Sequence, residues 1–180
     1  MEISKTSIDG LLIIKPQVFG DDRGYFLESF RKDLLASYGI TEDFVQDNQS
    51  LSAKGILRGL HFQSDPFAQG KLVRVIHGAV LDVAVDIRKD SPTYGNHVII
   101  ELNSENKTMF YIPPGFAHGF LTLQDDTIFS YKCTNYYHKA SEGSIHWNSP
   151  TLNIEWGVEN PTLSTKDKEA TLFKDFKSPF

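Results

Sequence analysis

Residues 79–88 read AVLDVAVDIR. Ala79, Leu81, Val83, Val85 and Ile87 form one wholly apolar face at a period of two, the repeat of a strand rather than a helix. Val80, Asp82, Ala84, Asp86 and Arg88 form the other face, which is half polar. Leu72–Ile76 lies just upstream with His77-Gly78 between, so the two runs are expected to pair as a hairpin. Working outward, further strands are expected at Val98–Leu102, Thr108–Ile112, Gly119–Leu123, Thr127–Cys133 and Ser144–Trp147; Leu11–Ile14 is a short apolar run closed by Pro16, and Gly24–Phe30 (GYFLESF) is rich in aromatics. Runs spaced by roughly 8–12 residues and separated by Gly and Pro predict an all-β sandwich or barrel. Two short peripheral helices are expected. Arg31–Tyr38 places Leu34, Leu35 and Tyr38 on one face and stops at Gly39. Ser164-Thr165-Lys166-Asp167 resembles a capping box, with Asp in place of the usual Glu.

Composition bounds what such a fold does. The chain has 180 residues, and 18 Lys plus Arg against 23 Asp plus Glu give a net charge of −5. No linker, repeat or low-complexity stretch divides it, so residues 1–180 are expected to form one domain. The acidic balance argues against nucleic acid as a partner, although a local cationic cluster still suits a small anion. One cysteine, Cys133, rules out an internal disulfide framework and fits a reducing, cytoplasmic setting. No apolar run approaches the roughly 20 residues of a membrane helix, and the first residues, MEISKTSIDG, lack the apolar core of an export signal.

Two dense patches carry the candidate chemistry. One is KGILRGLHFQ, residues 54–63, preceded by the polar QDNQS, residues 46–50, and followed by Gln69-Gly70-Lys71. The other is YIPPGFAHGF, residues 111–120, which contains P-x-G-x-x-H, a signature stretch of cupin barrels. The companion cupin signature needs H-x-H, but position 63 is Gln where the second His belongs. A three-ligand metal cluster therefore cannot be assembled from the expected spacings, and the cupin-type jelly roll is read as metal-free.

Across nearly its whole length the chain resembles the dTDP-4-dehydrorhamnose 3,5-epimerase family. The resemblance is carried in order by VFGDDRGYFLESF (18–30), FVQDNQS (44–50), KGILRGLHFQ (54–63), QGKLVRV (69–75), VAVDIRKDSPTYG (83–95), IPPGFAHGF (112–120), YKCTNYY (131–137), the Glu142 region and STKDKEA (164–170). It implies inversion of C3 and C5 of dTDP-4-dehydro-6-deoxy-D-glucose without metal or cofactor. The keto group acidifies both carbons, so the reaction needs a base on one ring face, an acid on the other, and a stabilised enolate between. The resemblance assigns the base to His61, its orienting carboxylate to Asp167, the acid to Tyr131 and the cation near the 4-oxygen to Lys71. It places Arg23 and Arg58 on the diphosphate and Tyr137 on the thymine. Glu28, Gln46, Asn48, His118, Glu142 and Lys166 are implied as further substrate contacts. It also implies a homodimer in which N-terminal segments reach the neighbouring site.

Taken singly, each residue has a plainer reading. His61 reads as a hydrogen-bonded core histidine, Asp167 as a capping carboxylate, Tyr131 as sheet packing, and Lys71 and Arg58 as solvated charges. Asp167 has room for both roles if one oxygen caps and the other faces His61. Tyr136 and Tyr137 are adjacent and on a strand would point to opposite faces, so only one stacks on a ligand. His77, His97, His138 and His146 read as structural or exposed. Asp82 and Asp86 either support the site or bond to neighbouring strands. The competing functions are a single-position epimerase, a nonenzymatic sugar-nucleotide-binding cupin and a metal-dependent cupin.

Overall fold

Alternating apolar residues build thirteen strands in a computed structural model that describes all 180 residues. In chain order they are β1 (Glu2–Lys5), β2 (Leu12–Lys15), β3 (Val18–Asp21), β4 (Gly24–Leu27), β5 (Gln46–Ser52), β6 (Leu57–Gln63) and β7 (Lys71–His77). Then follow β8 (Ala79–Asp86), β9 (His97–Asn103), β10 (Met109–Ile112), β11 (Phe116–Thr122), β12 (Thr127–Cys133) and β13 (Glu142–Ser144). Helix α1 (Lys32–Ala36) and helix α2 (Thr165–Lys168) are one turn each.

A six-stranded sheet, β1-β2-β10-β7-β12-β5, faces a five-stranded sheet, β13-β6-β11-β8-β9, and every pairing within them is antiparallel. This is the cupin-type β-sandwich expected from the sequence. Its interior is filled by Val73, Val75, Phe110 and Phe129 from one sheet and Val80, Ala84, Phe116 and Phe120 from the other. Phe110 and Phe129 are fully buried, and each contributes about 1.5–3 kcal/mol of transfer free energy. The outer face of the five-stranded sheet is also covered, by Trp147, Leu152, Trp156 and the C-terminal Phe173, Phe176 and Phe180. Leu35 and Ile40, in and after α1, cover part of the outer six-stranded face against Leu12, Ile14 and Leu72.

The structure corrects several local expectations. β7 and β8 do not pair with each other; β7 pairs with β10 and β12, and β8 with β11 and β9. His77-Gly78 is a corner between the two sheets. Gly78 has φ +79°, and a Cβ there would lie 2.4 Å from Thr127 Oγ1, so the chain turns too tightly for any side chain. The two faces of β8 also divide differently from simple amphipathicity. The wholly apolar face packs outward under the C-terminal segment, whereas the face with Asp82 points between the sheets. Strand β13 ends at Ser144, and α1 is shorter than its pattern, with Leu35 buried but Tyr38 53% exposed. Strand β5 arises from a segment that reads as merely polar, because its inward residues line a cavity rather than a core.

One irregularity places the site. In β11, His118 opposes His61 and Phe120 opposes Arg58, so β6 spends three steps where β11 spends two. A regular strand would put Arg58 and His61, three apart, on opposite faces. The bulge at Gly59-Leu60 turns both inward, with Leu57, Leu60 and Phe62 outward. Gly59 has φ +133°, and a Cβ there would stand 2.4 Å from Gly119 Cα and 2.9 Å from the His118 carbonyl oxygen. Gly59→Ala is therefore expected to lose at least about 2 kcal/mol in chemical denaturation, because strained backbone and backbone collision coincide. Wild-type stability in that variant would show that β6 and β11 do not approach this closely.

Candidate active site

The open end of the sandwich holds two adjoining cavities of ≈ 400 and ≈ 330 Å³ that share His61, Lys71 and Tyr131 in their walls. The first is also lined by Arg58, His118, Lys166 and Asp167, the second by Gln46, Asn48, Tyr137 and Glu142. Eleven of the thirteen site residues read from the sequence thus converge on one cleft. The five-stranded sheet supplies Arg58 and His61 from β6 and His118 from β11. The six-stranded sheet supplies Gln46 and Asn48 from β5, Lys71 from β7 and Tyr131 from β12. His61 and Tyr131 consequently stand on opposite walls.

Asp167 reaches His61 from α2. Ser164 caps that helix, accepting from the Asp167 backbone N–H at 3.2 Å and donating to Asp167 Oδ2 at 2.7 Å. The other oxygen, Oδ1, lies 2.5 Å from His61 Nε2. The capping role and the histidine contact therefore coexist, one on each oxygen. The helix is fastened to β6 by backbone bonds from Leu57 to Thr162 at 3.0 Å and from Thr162 to Gly55 at 2.9 Å.

Electrostatics follow from this packing. Burial pushes the His61 imidazole below its ordinary value, and the hydrogen bond and charge of Asp167 offset only part of that. Burial raises the Asp167 carboxyl, but the bonds from His61 and Ser164 outweigh it and the net direction is down. At neutral pH the pair is a neutral ring and a carboxylate. The carboxylate only accepts, so Nε2 carries the proton and Nδ1 is the bare nitrogen. Burial also lowers the Lys71 ammonium and raises the Tyr131 phenol. No buried side-chain nitrogen or oxygen lacks a hydrogen-bond partner. His61 Nδ1, Lys71 Nζ and Tyr131 Oη find none within the protein, so all three open on the cleft.

A chain of contacts crosses the cleft between the cavities. Lys166 Nζ donates to Glu142 Oε1 at 2.5 Å, and Tyr137 Oη donates to Glu142 Oε2 at 3.2 Å. Tyr136 and Tyr137 lie after β12 rather than on a strand, and both are more than half exposed. The sequence marks Gln63 only as standing where a second cupin histidine belongs, yet it holds this loop. Its side chain donates to the Phe67 and Tyr136 carbonyls at 2.7 and 3.2 Å and accepts from the His138 backbone N–H at 2.8 Å. Its position two residues after His61 was the available signal, and the structure buries it.

Two expected residues lie elsewhere. Arg23 sits at the tip of the β3–β4 hairpin, which pairs with neither large sheet, and bonds Asp21 at 2.5 Å with its side chain 89% exposed. Glu28 pairs with Arg31 at 3.5 Å. Neither lines the cleft of its own chain. Of the aspartates left open, Asp86 is fully buried and bonds Arg88, Ser91 and Thr93, while Asp82 bonds His118 at the cleft.

The geometry around His61 predicts its titration. By histidine NMR its midpoint is expected below 6.5, and in Asp167→Asn lower still, because both stabilising contributions to the imidazolium are removed. A midpoint that rises in the variant would contradict this reading of the pair.

Residues 5–175 match the family model described as dTDP-4-dehydrorhamnose 3,5-epimerase. A dTDP-4-dehydrorhamnose 3,5-epimerase of Shigella flexneri is 52% identical over 176 residues, 97% of each chain. The structure of a dTDP-6-deoxy-D-glucose-3,5-epimerase from Legionella pneumophila, in complex with dTDP-4-keto-L-rhamnose, is 52% identical. It superposes with a TM-score of 0.94, covering 98% of this chain and 94% of that one. A 3'-monoepimerase from Streptomyces bikiniensis in complex with dTDP-quinovose is more distant, 36% identical with a TM-score of 0.87, covering 92% and 85%. With cleft, sandwich and sequence all in agreement, the chain belongs to the dTDP-4-dehydrorhamnose 3,5-epimerase family and is a carbohydrate epimerase.

Proposed function

We propose that the protein inverts C3 and C5 of dTDP-4-dehydro-6-deoxy-D-glucose, giving dTDP-4-dehydro-L-rhamnose for dTDP-L-rhamnose biosynthesis. The observation that carries this reading is the placement of His61 and Tyr131 on opposite walls of one cleft, each with its reactive atom free of protein partners. Facing sheets stand roughly 10 Å apart, which leaves a pyranose ring one wall on each face. His61 Nδ1 takes the proton from the carbon next to the ketone, and Asp167 steadies the imidazolium that forms. The electron pair moves onto the 4-oxygen, where Lys71 meets the developing negative charge. Tyr131 then delivers a proton to the same carbon from the other face. The same cycle at the second carbon completes the reaction without electron transfer. The proton consumed from Tyr131 and the one gained by His61 equilibrate with solvent between cycles.

The remaining residues serve the nucleotide. Arg58 is placed for phosphate oxygens, with Lys166 beside it, and Tyr137 offers a half-exposed ring for the base. Gln46, Asn48, Glu142 and His118 line the same space. Arg23 and Glu28 act on the ligand of a second copy in a homodimer. Supporting this, the hairpin that carries Arg23 presents Phe19, Tyr25 and Phe26 at 58–65% exposure and is hydrogen-bonded into neither large sheet. No helix is long and apolar enough to cross a membrane.

Incubation of the keto sugar in heavy water tests the reading. Deuterium is expected at both C3 and C5, whereas label at one carbon only would make the protein a monoepimerase. His61→Asn is expected to lose exchange on the order of 10²–10⁴-fold with folding and nucleotide binding kept, and substantial residual exchange would remove His61 as the base. Tyr131→Phe should still wash deuterium into the substrate while failing to invert it. Because the base works unprotonated, kcat/KM should fall as pH drops through the free-enzyme His61 midpoint. That limb is expected below pH 6.5, the direction set by burial. An acid limb well above 6.5 would assign the titration to another group.

A further inference from the structure

A second histidine–carboxylate pair stands beside the first. Asp82 projects from β8 into the space between the sheets and is fully buried, flanked across the ladder by Phe120 and Ile100. Both its oxygens converge on His118 Nε2, at 3.0 and 2.9 Å, and it has no other hydrogen-bond partner. A buried carboxylate with one partner is costly to assemble. His118 is directly opposite His61 in the β11–β6 ladder, and both rings line the same cavity. Directly opposed residues stand about 4.5–5.5 Å apart at Cβ, so the two rings meet adjacent atoms of one bound molecule.

The carboxylate accepts and cannot donate, so it requires a proton on His118 Nε2. With Nε2 protonated, a neutral imidazole has a bare Nδ1. That nitrogen has no partner within the protein, and since no buried polar atom is unpartnered, it opens on the cleft. A bare imidazole nitrogen accepts and does not donate. A ketone or enolate oxygen also only accepts, so it is the wrong partner, whereas a sugar hydroxyl is the right one. We propose that Asp82 is a positioning residue that locks His118 as the Nε2–H tautomer and so makes Nδ1 the acceptor for a ring hydroxyl on the C2–C3 edge of the bound sugar. The assignment rests on the epimerase reading above and adds a specificity determinant to it. His61 takes a proton from carbon, its neighbour His118 recognises the adjacent hydroxyl, and the two identical side chains are kept to different tasks by what lies behind them. A site built to accept from a hydroxyl rejects the sugar that lacks it, because the nitrogen is left unpaired in a desolvated pocket.

The test uses ¹⁵N-histidine NMR on the wild-type protein and Asp82→Asn, with deuterium exchange at C5 as the activity readout. The wild type is expected to show His118 protonated at Nε2 and bare at Nδ1, and Asp82→Asn to populate the Nδ1–H form. The variant should lose at least about tenfold in kcat/KM, but lose nothing further when combined with His118→Phe. Wild-type enzyme should discriminate at least about tenfold against the 2-deoxy or the 3-deoxy substrate, and Asp82→Asn should not. An Nδ1–H tautomer in the wild type, additive losses in the double variant, or equal rates on both deoxy analogues would each overturn the proposal. If Asp82→Asn does not fold, the wild-type tautomer and the analogue rates decide it alone. Absence of exchange by wild-type enzyme on the intact substrate would instead reject the epimerase reading and is recorded separately.

Discussion

Two glycines pressed against each other position the wall that carries Arg58 and His61. Gly59 and Gly119 meet where β6 bulges against β11, at a separation that leaves no room for a methyl group on Gly59. Without that close approach β6 would run in regular alternation, and Arg58 and His61 would face opposite ways. One of them would then point into the apolar layer formed by Leu57, Trp147 and Trp156. The bulge thus joins Arg58 and His61, the proposed phosphate fork and the proposed base, on one surface. It also sets His61 opposite His118, and so determines which atoms of a ligand the two rings share. The rest of the site is arranged around this fixed wall. α2 is tied to β6 through Thr162 so that Asp167 arrives behind His61, and Tyr131 and Lys71 face it from the other sheet.

The legible part of the sequence was the part governed by period and by motif. β8, β9 and β12 follow their apolar alternation closely, and the sandwich follows from the spacing of such runs. Ser164 and Asp167 were readable as a cap because capping is local, and the cap brings Asp167 to His61. What failed was non-local. His77-Gly78 has the look of a hairpin turn, but Thr127 crowds it into a corner between sheets, and nothing within the two runs encodes that neighbour. β5 was obscured because its inward residues, Gln46, Asn48 and Ser50, face a cavity and so lack the apolar signal of a buried face. The two faces of β8 were distinguishable, but the sequence alone does not say that a C-terminal aromatic segment will cover the apolar one. In a sandwich covered on an outer face, the more polar side of a strand is not automatically the outside.

The two histidine–aspartate pairs show how surroundings assign different work to the same side chains. Asp167 accepts from Ser164 Oγ on one oxygen and faces His61 with the other. Its charge is therefore supported without any need for an imidazolium, and burial holds the ring neutral, which is the condition for a base. Asp82 has only His118, and sits deeper, with no exposure at all. It is suited to fixing an orientation rather than to sharing a travelling proton. In the proposed complex one pair moves a proton and the other holds a hydroxyl beside the reacting carbon.

The net charge of −5 belongs to the surface and not to the cleft. Exposed charges are screened beyond about 8–10 Å at physiological ionic strength, whereas charges inside a low-dielectric cleft act at full reach on what enters it. The cleft concentrates Arg58, Lys71 and Lys166 on its walls. Lys166 is already paired with Glu142, and burial disfavours the charge on Lys71, so Arg58 is the cation least committed before a ligand arrives. An incoming diphosphate changes this balance. In the proposed complex its charge would stabilise the Lys71 ammonium and compete with Glu142 for Lys166, and Glu142 is itself bonded to Tyr137 at the rim. In the proposed mechanism nucleotide binding and activation of the sugar end would therefore be coupled through one set of charges: phosphates held by Arg58 would also favour the charged form of Lys71.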